Sequence, residues 1–275
     1  MKRIIKLFIY FFLYQIAVFG VMAGGYMIFS GTFEIPDQND PTYMTVILWA
    51  QLIFSIAVAA HVLLAKYVKG SDLKFNFPHT GKVLLTSIVL IVGMGMWTNY
   101  LNELAGLPNT MEAAFDRMMN NPLGVIAIVI MAPLMEELLF RGAMQGYLLS
   151  RWKNPVWAIV VPALLFGIGH GNPIQIPFAF VTGLALGWVY YRTGSLLPGM
   201  LMHFVNNGTS VLLYHLVEDP DATMVEMLGA SGAAGLALAG AAITVTCVWY
   251  LKSRLLPQLP AWRKLDTDNE NAVNA

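Results

Sequence analysis

Two adjacent glutamates, Glu136 and Glu137, stand inside a long apolar run, with Arg141 close behind them. From Leu123 to Ala132 the chain holds no polar side chain, and Pro133 then leads directly into the pair. Ionisable groups at membrane depth cost several kcal/mol, so they are rare and face a bundle interior or a wet cavity. Two carboxylates and a guanidinium in one span therefore constrain the fold: other helices must surround them and supply partners.

The rest of the chain is built to do so. Of 275 residues, 57% are hydrophobic and 12% charged, which is too apolar for a soluble domain and fits a polytopic membrane protein. A bilayer core of about 30 Å needs about 20 apolar residues at a helical rise of about 1.5 Å. On that rule the sequence predicts eight helices, at roughly 4–29, 43–68, 82–102, 122–149, 155–171, 174–192, 197–217 and 228–252. A short amphipathic segment near Thr110 to Met119 is expected at the surface. The first run, Ile4 to Phe29, is too long for a signal-peptide core and reads as a retained anchor. The expected class is all-α, an integral membrane bundle of about eight spans. Its divisions are 1–110 for the first three helices, 111–220 for a core of helices four to seven, 221–255 for helix eight, and 256–275 for a polar tail.

Charge sets the expected orientation by the positive-inside rule. Lys2, Arg3 and Lys6, then Lys66 to Lys82, Arg151, Lys153, Arg192, and finally Lys252, Arg254, Arg263 and Lys264 fall on one side of eight spans. Glu34, Asp37, Asp40, Glu103, Glu112, Asp116, Glu218, Asp219, Asp221 and Glu226 fall on the other, with Arg117 as its one base. Both termini are thus expected in the cytoplasm, and the basic loops are compatible with a bacterial inner (plasma) membrane. A net charge of zero gives no nucleic-acid footprint. The single cysteine, Cys247, excludes an intramolecular disulfide and a multi-cysteine metal site, and reads as packing.

Partners for the glutamates lie in later spans. The fifth ends on Phe166 and His170; the seventh carries His203, Asn206 and Asn207. His203 and Asn207 share a helix face, as do Glu137 and Arg141, while Glu136 points about 100° away from Glu137. One glutamate can then pair with Arg141 while the other looks into a cavity. A glutamate and an imidazole around one water can take its proton and return it to a leaving amine. A second imidazole and an amide can donate to an oxyanion. No serine or cysteine stands near a histidine in a pattern that suggests a covalent nucleophile.

Glu136, Glu137 and Arg141, then Phe166 and His170, then His203 and Asn207 form three motifs in a fixed order. Together they resemble those of the CPBP family, the CAAX-protease and bacteriocin-processing (Abi) intramembrane proteases. The resemblance covers about residues 120 to 215. It implies a peptidase that acts on a peptide or protein, lipidated or not, at the bilayer. It implies that Glu136 and His170 activate water, that His203 and Asn207 stabilise the oxyanion, and that Glu137 and Arg141, with Phe166, support the site. Glu136, His170 and His203 could also ligate zinc, although His-Glu-x-x-His is absent, and the same residues serve without a metal.

Two other functions fit the same residues: a non-enzymatic immunity or scaffold protein on this fold, and a proton-coupled transporter relaying protons through buried Glu and His. A structural ion pair is the plain reading of Glu137 with Arg141. His61 is expected to pack, His79 and His215 to be solvated, and Asn206 to face away from Asn207. Pro133 and Pro162 are expected to bend their helices near the site.

Overall fold

In a computed structural model, the described residues are 1–31, 34, 40–217, 219 and 222–256. The expected tail at 256–275 lies, but for Leu256, outside them, as do Asp37, Glu218, Asp221, Arg263 and Lys264.

Among the described residues the secondary structure is helical, with no strand. The helices are α1 (Lys2–Ser30), α2 (Pro41–Leu64), α3 (Thr80–Ala105), α4 (Glu112–Met119), α5 (Pro122–Leu149), α6 (Pro155–Gly169), α7 (Gln175–Thr193), α8 (Leu197–Leu216) and α9 (Met224–Leu255). Eight are long and fall where the apolar runs predict them. The ninth, α4, is the amphipathic segment, and none of its residues is buried. By length and composition α1, α2, α3, α5 and α9 can each cross a membrane. Of the other three long helices, α6 is apolar but only 15 residues long and is followed by His170, and α7 and α8 carry Thr182, His203, Asn206 and Asn207. All five of these residues border one internal cavity. Polar groups that face a wet interior lower a helix's mean hydropathy without exposing anything polar to lipid.

The chain's ends and loops separate by charge. At one end the Arg3 guanidinium lies over the rings of Tyr67 and Tyr147, and Arg192 reaches the carbonyl of Lys252. At the other, Glu103 at the end of α3 accepts from the backbone N–H groups of Met224 and Val225, which start α9, at 2.8 and 3.0 Å. A carboxylate at a helix N-terminus satisfies orphan donors and complements the helix dipole.

Two apolar clusters hold the bundle. One joins α1, α2, α5 and α6 through Ile4, Phe11, Phe54, Leu139, Phe140 and Phe166. The other joins α3, α7, α8 and α9 through Leu90, Leu186, Met202 and Leu251, with Cys247 packed among them. Large apolar side chains such as Ile16, Val21, Leu238 and Val245 point outward, as lipid-facing residues must. The α6–α7 hairpin turns through residues 170–174, where Gly171 adopts a left-handed φ of 66°. Its helices touch closely, since a Cβ on Gly183 would stand 3.1 Å from that of Ala163.

Candidate active site

The glutamate pair sits where α5 departs from regular α-geometry. Residues Ala127–Met131 and Glu137–Gln145 form wide π-type turns, with Pro133 and Glu136 on the short α-helical stretch between them. The Ala132 N–H reaches back five residues to the Ala127 carbonyl, one residue before a proline that has no N–H to give. Wide turns of this kind rotate successive side chains relative to a plain helix and recur at functional sites.

The two glutamates point apart, as adjacent helical positions require. Glu136 lines a cavity of about 550 Å³. Glu137 is wholly buried, and its Oε1 accepts from Arg141 Nη1 at 2.8 Å and from His203 Nδ1 at 3.1 Å. Breaking a buried pair of this kind typically costs about 3–5 kcal/mol, because the remaining charge is stranded. Gly199 lets the backbone of α8 come this near: a Cβ there would lie 3.0 Å from Glu137 Oε2.

His203 stands between both carboxylates. Its Nδ1 faces Glu137, and its Nε2 lies 3.6 Å from Glu136 Oε2. A carboxylate only accepts, so Nδ1 is the donor and Nε2 is the ring atom turned to Glu136 and the cavity. His170 is fixed similarly: Nδ1 bonds the Phe166 carbonyl at 2.8 Å, which leaves Nε2 outward. The ring of Phe166 separates the Arg141 guanidinium, 4.2 Å from its centroid, from the rings of His170 and His203, at 4.8 and 5.6 Å. An aromatic face stabilises the buried cation while its other contacts wall the cavity. Asn207 gives one N–H to the Ile128 carbonyl at 2.9 Å and accepts from Asn206 at 3.1 Å, keeping its second N–H.

Glu136, Phe166, His170, His203 and Asn207 thus border one cavity, with Glu137 and Arg141 behind them. His203 lies beside Glu136, and no direct hydrogen bond or ion pair joins Glu136 to His170, whose expected place around a shared water needs none. One detail differs from the sequence reading. Asn206 does not turn away: it bonds Asn207 and lines the same cavity. His215 is exposed, as expected, and also bonds the Met119 carbonyl at 3.1 Å, which ties α8 to α4. His61 packs as expected, with the Tyr14 hydroxyl at 2.8 Å on its Nδ1 and the Tyr67 ring stacked on it.

Sequence reasoning overlooked other lining residues: Gln15 on α1, Gln51 on α2, Glu112 and Asp116 on α4, and Thr182 on α7. The two glutamines were detectable, being isolated amides in otherwise apolar spans. Thr182 was not, since a threonine among small apolar residues carries no pattern.

Among the described residues, no three His, Cys, Asp or Glu side chains are grouped closely enough to hold a metal ion. Glu136, His170 and His203 as placed do not form one zinc set.

The motif-bearing segment has relatives. Residues 119–209 match the family model described as type II CAAX prenyl endopeptidase Rce1-like. An uncharacterized 24.3 kDa protein of Escherichia coli is 35% identical over 85 residues, covering 30% of this chain and 39% of that protein. The membrane-embedded CAAX protease MroQ of Staphylococcus aureus (strain USA300) is 28% identical over 96 residues, covering 33% of this chain and 39% of that protein. The chain therefore spans well under half the length of these curated relatives. No solved structure matches. The stretch that is similar to the Rce1-like, type II CAAX prenyl endopeptidase family, residues 119–209, holds Glu136, His170, His203 and Asn207.

Proposed function

We propose that this protein is an intramembrane endopeptidase of the CAAX-protease type that hydrolyses a peptide bond with a glutamate-activated water. One observation carries the reading: Glu136, His170, His203 and Asn207, from three separate helices, border a single cavity within the bundle. The cavity, about 550 Å³, is large enough for several residues of an extended peptide beside a water.

In this mechanism Glu136 takes a proton from water held between its carboxylate and the Nε2 of His170. The hydroxide attacks the scissile carbonyl carbon. His203 acts as an imidazolium: its Nδ1–H stays on Glu137, and its Nε2–H, with the free N–H of Asn207, donates to the developing oxyanion. Glu136 then returns the proton to the departing amine, so acid and base are one residue at two stages. Glu137 holds the His203 ring in place, and Arg141 balances the Glu137 charge. The bond broken is the amide C–N, the bond formed is C–O, and one water is consumed.

The test is cleavage of a quenched peptide library, farnesylated and unmodified, by the purified full chain and by its Glu136→Gln variant. Cleavage by the wild type and its loss in a folded Glu136→Gln protein is the expected result. Equal cleavage by both proteins would sink the mechanism. Retained biological protection by Glu136→Gln without any cleavage would favour an immunity or scaffold role.

A further inference from the structure

The wall of the cavity that faces the catalytic residues comes from outside the family-matched segment, and its charge is one-sided. Phe11 and Gln15 of α1, Gln51 and Phe54 of α2, and Glu112 and Asp116 of α4 all line it. Glu136 adds a third carboxylate at the catalytic end. Among the described residues that line the cavity there is no lysine or arginine. Arg141 is 1% exposed behind Phe166, and Arg117, although on α4, is not part of the lining.

Acidic residues on a short surface helix ordinarily form a solvated face. Here α4 is held in place by polar ties at both ends. The Asn172 side chain, wholly buried, donates to Asn109 Oδ1 at 2.8 Å and accepts from the Thr110 N–H at 3.1 Å, just before α4 begins. After it, Asn120 donates to the Tyr214 hydroxyl at 2.8 Å, and His215 bonds the Met119 carbonyl. Glu112 and Asp116, four residues apart, share the face so presented. An independent sign lies on α7: Thr182, among the lining residues, is 3% exposed, and its hydroxyl has no hydrogen-bond partner among the described residues. Buried hydroxyls are nearly always satisfied, so this one is open to a group that enters the cavity.

We infer that the cavity takes an apolar peptide segment carrying a basic side chain, with Glu112 and Asp116 of α4 reading the positive charge. The inference rests on the protease reading, since it names what that same cavity accepts. Phe11 and Phe54 suit the apolar residues, and Gln15, Gln51 and Thr182 offer hydrogen bonds to the peptide backbone. A segment bearing a carboxylate at the corresponding position meets like charge and no cation.

Binding separates this inference from catalysis. Short fluorescent apolar peptides, capped at both ends and carrying one lysine or one glutamate at the same flanking positions, are titrated by anisotropy. The protein is the full chain bearing Glu136→Gln, alone or with Glu112→Gln and Asp116→Asn added. The lysine peptide should bind about tenfold more tightly than the glutamate peptide at low salt, and the two affinities should converge to within about twofold in the triple variant, as two partly exposed charges allow. Equal affinities in the Glu136→Gln protein, a preference that survives the triple variant, or no binding of either peptide would each overturn the inference. The wild type is tested for cleavage of the same peptides. Binding with the expected preference but no cleavage would reject the protease reading and leave the charge preference standing.

Discussion

His203 Nδ1 lies 3.1 Å from Glu137 Oε1, so the second glutamate of the pair reaches the cavity wall through an imidazole on another helix. Glu137 is therefore both the partner of Arg141 and the group that orients His203. Glu137→Gln keeps the shape but removes the charge that pairs both neighbours. It should lower kcat by about 10²-fold with little change in KM, the pattern expected when a transition-state donor is misaimed. Glu137→Ala should in addition destabilise the fold by about 3–5 kcal/mol, as for a broken buried pair. Thermal unfolding measured beside steady-state cleavage separates the two effects. An unchanged kcat in a folded Glu137→Gln protein would leave Glu137 a structural role only.

Pro133 lies three residues before Glu136, on the short α-helical stretch between two wide turns. Restoring an N–H with Pro133→Ala lets the preceding turn tighten, which rotates Glu136 relative to His203. A displacement of about 1 Å at a reacting group can cost about 10²-fold in rate, so cleavage should fall by between about tenfold and that limit while the protein stays folded. Undiminished cleavage by Pro133→Ala would show that the proline does not position Glu136.

The helices and the motif residues were legible for different reasons. Apolar runs announce spans by length alone, so the eight long helices fall where composition puts them. Glu136, His170, His203 and Asn207 stood out because each is polar in an apolar setting, and that anomaly carries information without a structure. What the sequence could not convey is rotation about each helix axis. Wide turns in α5 and the close approach of α8 at Gly199 decide that His203, and not His170, meets the glutamates. Gln15 and Gln51 stand out as isolated amides, but the wall that they form with Glu112 and Asp116 was hidden, because it assembles residues some hundred positions apart.

Asp72, in the short helical turn Gly70–Leu73, offers a pH test away from the cavity. Burial raises its pKa above the ordinary 3.8, outweighing the hydrogen bond that it accepts from the Lys69 N–H. A carboxyl with a raised folded pKa binds its proton more tightly in the folded state. Its contribution to stability is thus full below 3.8 and is lost as pH rises through the folded value. Asp72→Asn mimics the protonated form and keeps an acceptor for Lys69. The variant should unfold at a higher temperature than wild type at pH 7, and the gap should close as pH falls toward 4. A gap that widens on acidification would show that the charged form is the one that the fold prefers.

The proposed glutamate chemistry predicts cleavage without a metal, in keeping with side chains that form no three-ligand cluster among the described residues. Incubation with EDTA or phenanthroline, followed by removal of the chelator, should leave cleavage within about twofold of the untreated enzyme, since glutamate acid–base chemistry needs no Lewis acid. Loss of cleavage that zinc restores would require Glu136, His170 and His203 to draw together on the metal. Activity and bound zinc, measured on the same samples, decide between these outcomes.

The positive-inside pattern makes the last prediction, for the side on which the site opens. Lysines at 66, 69 and 74 lie in the loop between α2 and α3, with Lys82 in the first turn of α3, whereas α4, which borders the cavity, lies among the acids that the pattern assigns to the far side. Lys74 and Ala113 are both exposed, and Cys247, the natural thiol, is buried. In intact cells an impermeant thiol reagent should label Ala113→Cys and spare Lys74→Cys, and permeabilisation should expose both. Such a result would place the cavity mouth at the non-cytoplasmic surface, so that a basic peptide reaches it only after crossing or entering the bilayer. The reverse labelling would invert the bundle and put the acidic lip of α4 in the cytoplasm, in direct reach of newly made chains.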